Sequence, residues 1–572
     1  MKKSFKSLLS CFEHEIVDSD GETPLSADEA EKLASSAEIE SLVFDSRDVK
    51  PGALFFALPG THTTGNRFIA SAIDSGARAI VFQDSFSEEE KSRIVTAVKN
   101  AGGNVVFAKV KDSRHAMSPA ASAFYDNPSS KLVVYGVTGT EGKSSTVAFI
   151  WQLLKLSGIK AGFISTVQYS LGGDAVDNPQ HQTTPEAPIV QRQLYEMLEN
   201  KCTHAVVESS SHGLSPRTNR LGDVQFDCGI FMNVTLEHLE FHGTYEQYRD
   251  DKANLFRALD KYGHEKTIGG KKQTVPSFGI VNLEDPAYSY FAGATKKPVL
   301  GFTSLGKAGR NAEGTENQNL PEINPEIPYM EASGISSTES TLSFSVKFMD
   351  GKKGISNDIF IEENAEIKSN LPGAFNAYNI MATLLAVSGT CGISMEKLVP
   401  LVEKITPVKG RMTEIHEGQP FEVIVDYAHT PSSFQTIFPP VRNRCKGRMI
   451  CLFGSGGERD LTKRPLQGEI AAQFCDTVIL TDEDPRGEDS MALLEMIAKG
   501  ARKNGKIDGK DLFMIPDRPK AIRTAFSMAG ENDIVLLLGK AHENSIIYKD
   551  HTMKYDEISE AKKAISEMGF KK

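Results

Sequence analysis

LVVYGVTGTEGKSST, residues 132–146, reads as a strand, a glycine-bordered turn and the opening of a helix. The run 132–137 is apolar throughout, as a strand buried on both faces requires. Gly139 and Gly142 let the backbone turn so that successive N–H groups point inward. A helix from Lys143 to about residue 157 then places its positive end on the same spot, which makes an anion site. Lys143 can reach a terminal phosphate, and Ser144 or Ser145 can offer a hydroxyl to Mg²⁺. The full phosphate-loop spacing is G-x-x-x-x-G-K-[ST]; Val137 occupies its first position, leaving the shorter G-x-x-G-K-S. That short form also occurs in ordinary turns. The strand before it and the helix after it favour nucleoside-triphosphate binding.

Around this stretch the chain runs to 572 residues, more than one core supports, so about three domains are expected. Hydrophobic residues make up 40% and charged residues 24%, the balance of a globular protein. The net charge of −11 argues against a nucleic-acid groove and against polybasic membrane docking, though local basic pockets for anionic ligands remain compatible with it. Seven cysteines are scattered without C-x-x-C or zinc spacing, as reduced cytosolic thiols would be. The opening MKKSFKSLLSCFEHE resembles a signal peptide only briefly, because its apolar run meets Glu13, His14 and Glu15. No run of about 18 apolar residues exists, so no membrane span and a cytoplasmic location are expected.

Upstream, residues 1–130 read as a small α/β domain with strands at 42–44, 53–58, 79–82 and 105–110 and a helix at 68–75. Downstream, residues 131–405 alternate strands at 132–137, 161–164, 204–208 and 228–234 with helices at 143–157, 186–199 and 245–258, which implies a parallel sheet covered on both faces. Segments 341–348 and 358–362, joined by the turn MDGKKG, read as a hairpin, and 305–334 as an exposed excursion. Residues 406–572 form a third, Rossmann-like α/β unit with strands at 422–425, 449–453, 477–480, 512–515 and 533–538.

Ligands of open parallel sheets bind beyond the carboxyl ends of strands. Seven polar clusters stand there: Thr183-Thr184-Pro185-Glu186, Glu208-Ser209-Ser210-Ser211-His212, Asn233 with Glu237-His238, Asp426-Tyr427-Ala428-His429-Thr430, Gly454 to Asp460, Asp482 to Arg486, and Gly539 to Glu543. Seven clusters in two units imply a shared cleft. Glu208 ends a strand where phosphate-loop proteins place a magnesium-holding acid, or it is an ordinary edge acid. His238 is either a packed histidine or part of an oxygen-rich cation site. Lys252 lies on an acidic helix, where a surface ion pair worth about 0.2–0.5 kcal/mol is the plain alternative. Arg459 and Arg486 suit a carboxylate, since guanidinium matches it with two parallel bonds; a loop ion pair is the alternative.

DSR with PGALFFALPG, TGTEGKSS, QTTPEA, ESSSHGL, NVTLEHLEFHG with Lys252 ten residues beyond His242, GAFNAYN, KGRM, DYAHTP, GSGGERDLTKRP, EDPRGED and GKAHE occur in this order over nearly the whole chain. In this it resembles the Mur ligases of bacterial cell-wall synthesis, and among them the kind that adds the third residue of the stem peptide. The resemblance implies a small first domain that receives a UDP-sugar, a central ATP domain and a third domain for the incoming amino acid. It implies ATP and Mg²⁺, UDP-MurNAc-L-Ala-D-Glu and a diamino acid, with no nucleic-acid partner and a monomeric chain. Carried over position by position, Thr138, Gly139, Thr140, Glu141, Gly142, Lys143, Ser144 and Ser145 cradle the phosphates. Ser144 and Glu208 hold one Mg²⁺; His238 joins Glu208 near a second, with Lys252 as a carbamylated lysine. Asn376 and Asn379 match adenine-side positions, and Arg411, Asp426 and His429 line the ATP side of the third domain. Ser46, Thr61, Gly65 and Asn66 match the uridine region. Gln182, Thr183, Thr184, Ser210 and Arg220 match the muramoyl-peptide region, Arg220 only after two extra residues beyond His212. Arg459, Glu483, Asp484, Pro485, Arg486, Gly539 and Glu543 match the amino-acid pocket.

The implied reaction phosphorylates the dipeptide's terminal carboxylate, and the incoming amine then displaces phosphate. Two positions depart from the family pattern. Glu141 stands where Asn is commoner, and its side chain is expected to turn outward, away from the phosphates. The amino-acid motif is Glu483-Asp484-Pro485-Arg486 instead of the DNPR associated with meso-diaminopimelate. Arg486 still suits a distal carboxylate, whereas Asp484 adds negative charge that suits a distal ammonium. Meso-diaminopimelate, lysine and ornithine therefore all stay open, the first slightly ahead. A folylpolyglutamate-type ligase is the competing reading, and a nucleotide-sugar domain at residues 1–130 argues against it.

Overall fold

A computed structural model describes residues 1–60, 64–179, 182–304, 324, 326–338, 340–349 and 365–570. Among the described residues it is a mixed α/β structure built on three principal sheets. The first has the order Glu15–Val17, Val106–Lys109, Ala77–Phe82, Ala53–Phe56, Ser41–Val43, with the first strand antiparallel. Two helices, Phe5–Leu9 and Ala27–Ser36, cover it beside the helices of its crossovers. Thus the signal-like opening is a short helix whose Phe5 and Leu8 are fully buried.

The central sheet has eleven strands among the described residues. Its parallel heart runs Ala161–Ile164, His204–Glu208, Val133–Thr138, Cys228–Phe231, Phe278–Asn282, Val299–Thr303. Strand order reverses at Val133–Thr138, which places the phosphate loop at the topological switch point, where such sheets bind ligands. VVYGVT is buried at every position, as its composition predicts. A Cβ at Gly136 would lie 2.8 Å from Phe226 and collide with Leu255, so glycine here lets helix Tyr245–Lys261 pack tightly across the strand. That close approach carries Lys252 over the loop. Helices Lys143–Leu156 and Asn376–Cys391 pack side by side on the sheet, the first over Ala161–Ile164, His204–Glu208 and Val133–Thr138 and the second over Cys228–Phe231, Phe278–Asn282 and Val299–Thr303, and both are buried along most of their length.

The first strand of the expected hairpin is present as Leu342–Met349, whereas residues 358–362 lie outside the described residues. Leu342–Met349 pairs antiparallel with Tyr329–Ser337 on one side and Ala365–Ser369 on the other. The expected excursion at 305–334 is corrected at its end: residues 305–323 and 325 lie outside the described residues, whereas Tyr329–Ser337 is a strand parallel to Val299–Thr303. Its outer half exposes small polar residues, which read as a loop.

The third sheet is ordered Thr413–Ile415, Glu422–Asp426, Ile534–Leu538, Met449–Phe453, Thr477–Leu480, Leu512–Met514, parallel except at its first strand. Its carboxyl edge faces the carboxyl edge of the central sheet. Arg411 Nη2 donates to Ser144 Oγ at 3.1 Å, Thr430 donates to Glu141 at 3.0 Å, and Thr235 donates to Ser432 at 3.1 Å across that junction. Among the described residues, no helix is long and apolar enough to cross a membrane.

Candidate active site

The two carboxyl edges enclose a cleft of about 350 Å³. From the central sheet it takes Thr140, Glu141, Lys143, Gln182, Thr183, Glu208, Ser210, Arg220, His238 and Lys252. From the third sheet it takes Arg411, His429, Arg459, Glu483, Asp484, Arg486 and Glu543. The expected shared crevice is therefore present, and it joins the candidate phosphate and amino-acid residues.

Behind the wall, the phosphate loop is braced on all sides. Asn233 Oδ1 accepts from the N–H groups of Thr140 at 3.1 Å and Glu141 at 2.8 Å. Lys143 Nζ donates to Thr140 O at 2.7 Å, and Lys252 Nζ donates to Gly139 O at 2.7 Å. Gly142 caps the helix at φ 82°, a left-handed conformation that glycine adopts without strain. Ser144 donates to Glu208 Oε1 at 3.0 Å, while Ser165 Oγ at 2.5 Å and the Thr166 N–H at 2.9 Å donate to Oε2. Glu208 is only 1% exposed, and these donors offset the cost of burying its charge.

Lys252 is also 1% exposed. Burial, aided by the charge of Lys143, pushes its ammonium well below the usual lysine range, and Glu237, Glu141 and Glu208 only partly oppose this. Its Nζ lies 4.5 Å from the Tyr248 ring, one helical turn away on the same face. His238 adopts φ 55°, and its ring stands 3.7 Å from Glu237 and 3.5 Å from Glu240. Burial alone would raise the Glu237 carboxyl, but the positive surroundings of His238, His429, Lys463 and Lys143 hold it at about 2. Burial, with Lys463 nearby, holds the His429 ring down at about 4.

Glu141 corrects an expectation. Its side chain crosses to the third sheet, where Thr430 donates to it, and it does not turn outward. Burial first and Glu237 second push its carboxyl upward, against Lys143 and Arg411. Asp484 corrects another: Oδ1 already accepts from Lys540 at 2.8 Å and from the Ile547 N–H at 2.9 Å, so its charge is largely spent inside the protein. Glu483 differs. Burial raises its carboxyl to about 7 despite Lys463, and its Oε2 is buried without a hydrogen bond. Glu543 accepts from Tyr427 at 3.2 Å and pairs with Lys540. Arg486 holds φ 53°, and its Nε is likewise buried without a partner.

Several predicted residues support the wall without forming it. Thr184 donates to Glu208 O at 2.9 Å and accepts from Ser210. Asp426 accepts from Met412 and Ala428 N–H groups. Pro485 backs Gly457, and Gly539 lies against Glu483. Thr138 and Ser145 are buried in the strand end and first helical turn. Asn379 accepts from Thr146 at 3.1 Å and donates to Asn376 at 2.9 Å, so both asparagines buttress the loop from behind and neither reaches the cleft wall. Ser46, Gly65 and buried Asn66 belong to the first sheet's unit, away from the cleft, and Thr61 lies outside the described residues. Arg220 bonds Thr184 O at 2.9 Å and Glu186 at 2.8 Å, and Arg114 of the first unit reaches Glu186 at 3.4 Å. The sequence reading missed Thr166, Tyr248, Lys463 and Ile547 on the wall. Of these, Tyr248 left a signal in its four-residue spacing from Lys252, and Lys463 stands within the GSGGERDLTKRP motif without having been singled out.

Comparison with known proteins follows the same three-part division. Residues 38–125 match the Mur ligase family catalytic domain, 137–387 the Mur ligase middle domain, and 410–541 the Mur ligase glutamate ligase domain. UDP-N-acetylmuramyl-tripeptide synthetase of Treponema denticola is 50% identical over 541 residues, covering 92% of this chain and 94% of that one. UDP-N-acetylmuramoyl-L-alanyl-D-glutamate–2,6-diaminopimelate ligase of Geobacillus kaustophilus is 33% identical over 532 residues, covering 93% and 96%. A solved structure of a ligase with that latter activity superposes with a TM-score of 0.56 at 23% identity, covering 100% of both chains, a likeness of fold.

Proposed function

The chain belongs to the Mur ligase family, and on that premise we propose that it joins a diamino acid to UDP-MurNAc-L-Ala-D-Glu as the third residue of the stem peptide. It is an ATP-dependent ligase that forms an amide bond. Residues 1–130 receive the UDP-sugar through Ser46, Thr61, Gly65 and Asn66, residues 131–405 bind ATP, and residues 406–572 bind the amino acid. The observation that carries this reading is the single cleft in which Lys143, Glu208 and Lys252 face Arg459 and Arg486.

The chemistry needs neutralised charge and fixed geometry more than proton shuttling. An oxygen of the dipeptide's terminal carboxylate attacks the γ-phosphorus of ATP, and ADP leaves. The amine of the incoming residue attacks the acyl carbon, sheds a proton, and expels phosphate. Lys143, freed from Thr140 O, neutralises the transferred group. Arg411, from the other sheet, adds a second cation beside Ser144.

Mg²⁺ fits this donor set. Ser144 and Glu208 present oxygens 3.0 Å apart at the phosphate loop. Among the described residues no three acidic, histidine or cysteine side chains form a cation cage, which suits a cation completed by substrate phosphates. Bound there, it would offset phosphate charge. His238 with Glu208 would face a second cation, and Lys252 would contribute as a carbamate. Burial weakens the hold of the Lys252 amine on its proton, which favours the free amine that carbamate formation needs.

Meso-diaminopimelate is placed ahead of lysine and ornithine. Its distal end carries both an ammonium and a carboxylate. The pocket sets Glu483, with an unpartnered oxygen, near Arg486, with an unpartnered Nε. ATP turnover should require UDP-MurNAc-L-Ala-D-Glu together with one of the three diamino acids, assayed side by side. ADP release without the dipeptide, or with a folate in its place, would overturn this function.

A further inference from the structure

Arg464 is fully buried behind the amino-acid pocket and takes no part in lining it. Its guanidinium meets Glu488 with two bonds, Nη1 to Oε2 at 2.7 Å and Nη2 to Oε1 at 2.9 Å. Nη2 also donates to Gly456 O at 3.2 Å. Glu488 Oε1 in turn accepts from the Glu458 N–H at 2.5 Å. One ion pair therefore spans the bases of two loops. The first, 454–460, carries Arg459; the second, 482–489, carries Arg486.

Both loops hold a strained residue at the point of fastening. Glu458 has φ 56° and Arg486 has φ 53°, left-handed conformations that strain a non-glycine residue. Such conformations persist only where the surroundings over-determine them. The further ties are the Gly457 N–H to Asp484 O at 2.7 Å, the Glu488 N–H to Pro485 O at 3.0 Å, and the Arg486 N–H to Ile547 O at 2.9 Å. A buried ion pair is a weak source of stability, because desolvation offsets its attraction. Its two-pronged geometry does fix distance and angle.

We infer that the Arg464–Glu488 pair is a spacer that sets the separation and tilt of Arg459 and Arg486, and so the reach of the amino acid that the pocket accepts. This rests on the reading of those two arginines as carboxylate grips. Arg464 and Glu488 are positioning residues and touch no substrate. A lysine at 464 would keep the charge and lose the fork; leucine and methionine in place of both partners would leave no orphaned charge.

The test uses the full chain with ATP, UDP-MurNAc-L-Ala-D-Glu and, in turn, ornithine, lysine and meso-diaminopimelate. Arg464→Lys and the double variant Arg464→Met/Glu488→Leu are compared with the unaltered chain, with Tm measured for each. KM for the preferred amino acid should rise about tenfold or more, and discrimination among the three should narrow, because a misplacement of about 1 Å costs on the order of 10²-fold. KM for ATP and for the dipeptide should stay within about twofold, since those contacts lie elsewhere. Unchanged discrimination and unchanged amino-acid KM would overturn the inference, as would an equal loss for all three substrates, which signals a collapsed domain. If the unaltered chain turns over none of the three amino acids, it is the functional reading that fails.

Discussion

Gly457→Ala offers a sharp test of how the amino-acid pocket is held. Gly457 donates to Asp484 O at 2.7 Å, so the two pocket loops touch backbone to backbone at this point. A Cβ added here would stand 2.7 Å from the carbonyl carbon of Pro485 and would overlap its oxygen. Carbon atoms rest about 3.5–4.0 Å apart. The obstacle is backbone and cannot rotate away, so the loops must part by about 1 Å. That displacement separates Arg459 from Arg486 by the same amount. Misplacement on this scale costs on the order of 10²-fold, or about 2.7 kcal/mol of transition-state binding. Overpacking adds roughly 1–3 kcal/mol of lost stability, about 2–4 °C in Tm per kcal/mol for a domain of this size.

Steady-state assays of phosphate release, titrated separately with each substrate, would read both effects. The expected result is kcat/KM for the amino acid lowered about 100-fold, with KM for ATP within about twofold. Gly263→Ala is the control, because nothing lies within 4 Å of a Cβ there. A folded Gly457→Ala variant with amino-acid kcat/KM within about threefold of the parent would refute the reasoning, because a factor that small is well under 1 kcal/mol.

Lys252→Ala should abolish turnover, and short carboxylic acids should partly restore it by supplying oxygens where the carbamate would stand; wild-type rates in this variant would remove Lys252 from the reaction. Gly142→Ala forces alanine to φ 82°, at roughly 1–2 kcal/mol, and sets its Cβ 2.9 Å from Asn379 Oδ1, so KM for ATP should rise about tenfold or more while the amino-acid KM holds. Acid should destabilise the fold. Burial holds His204 and His429 neutral in the folded chain down to about 4, whereas an unfolded histidine takes its proton near pH 6.5. Between these values the unfolded state binds more protons, so Tm should fall as pH drops from about 6.5 to 4, and His204→Asn should flatten part of that slope. An unchanged slope would show that His204 titrates normally.

What could be read from sequence was whatever local chemistry enforces. Val133–Thr138 and the turn after it announce themselves, because a two-faced buried strand must be apolar and a tight anion-binding turn needs glycine. The strand-end clusters were legible for the same reason: parallel strands leave their functional groups at one end. Glu141 was not, because its partner Thr430 lies 289 residues away and only tertiary packing brings it near. The neutralisation of Asp484 depends on Lys540, 56 residues on, and the fastening of the loop that carries Arg486 on Glu488, whose partner Arg464 belongs to the helix Lys463–Phe474, 24 residues earlier. Tyr329–Ser337 hid because half of it faces solvent with serine and glycine. Helix Ala27–Ser36 was overlooked although Ser26 and Glu29 form a capping box; its single buried residue, Ala34, gives almost no periodic signal.

These long-range pairings bear on how the cleft works. Ser144 donates to Glu208 of its own sheet and accepts from Arg411 of the other. Glu141 belongs to the phosphate loop yet is fastened to Thr430. The groups proposed to recognise phosphate are thus also the groups that join the two sheets. A triphosphate entering the loop must compete for Lys143 with Thr140 O, and it draws on Arg411 from across the junction. Nucleotide binding and the relative placement of the two walls therefore share the same hydrogen bonds. A ligand shifts a conformational balance only by its differential affinity for the two arrangements. Arg411, which meets the loop with the walls as they stand, gives ATP such a difference and, under the proposed function, a reason for the amino-acid pocket to be in place when the acyl phosphate forms.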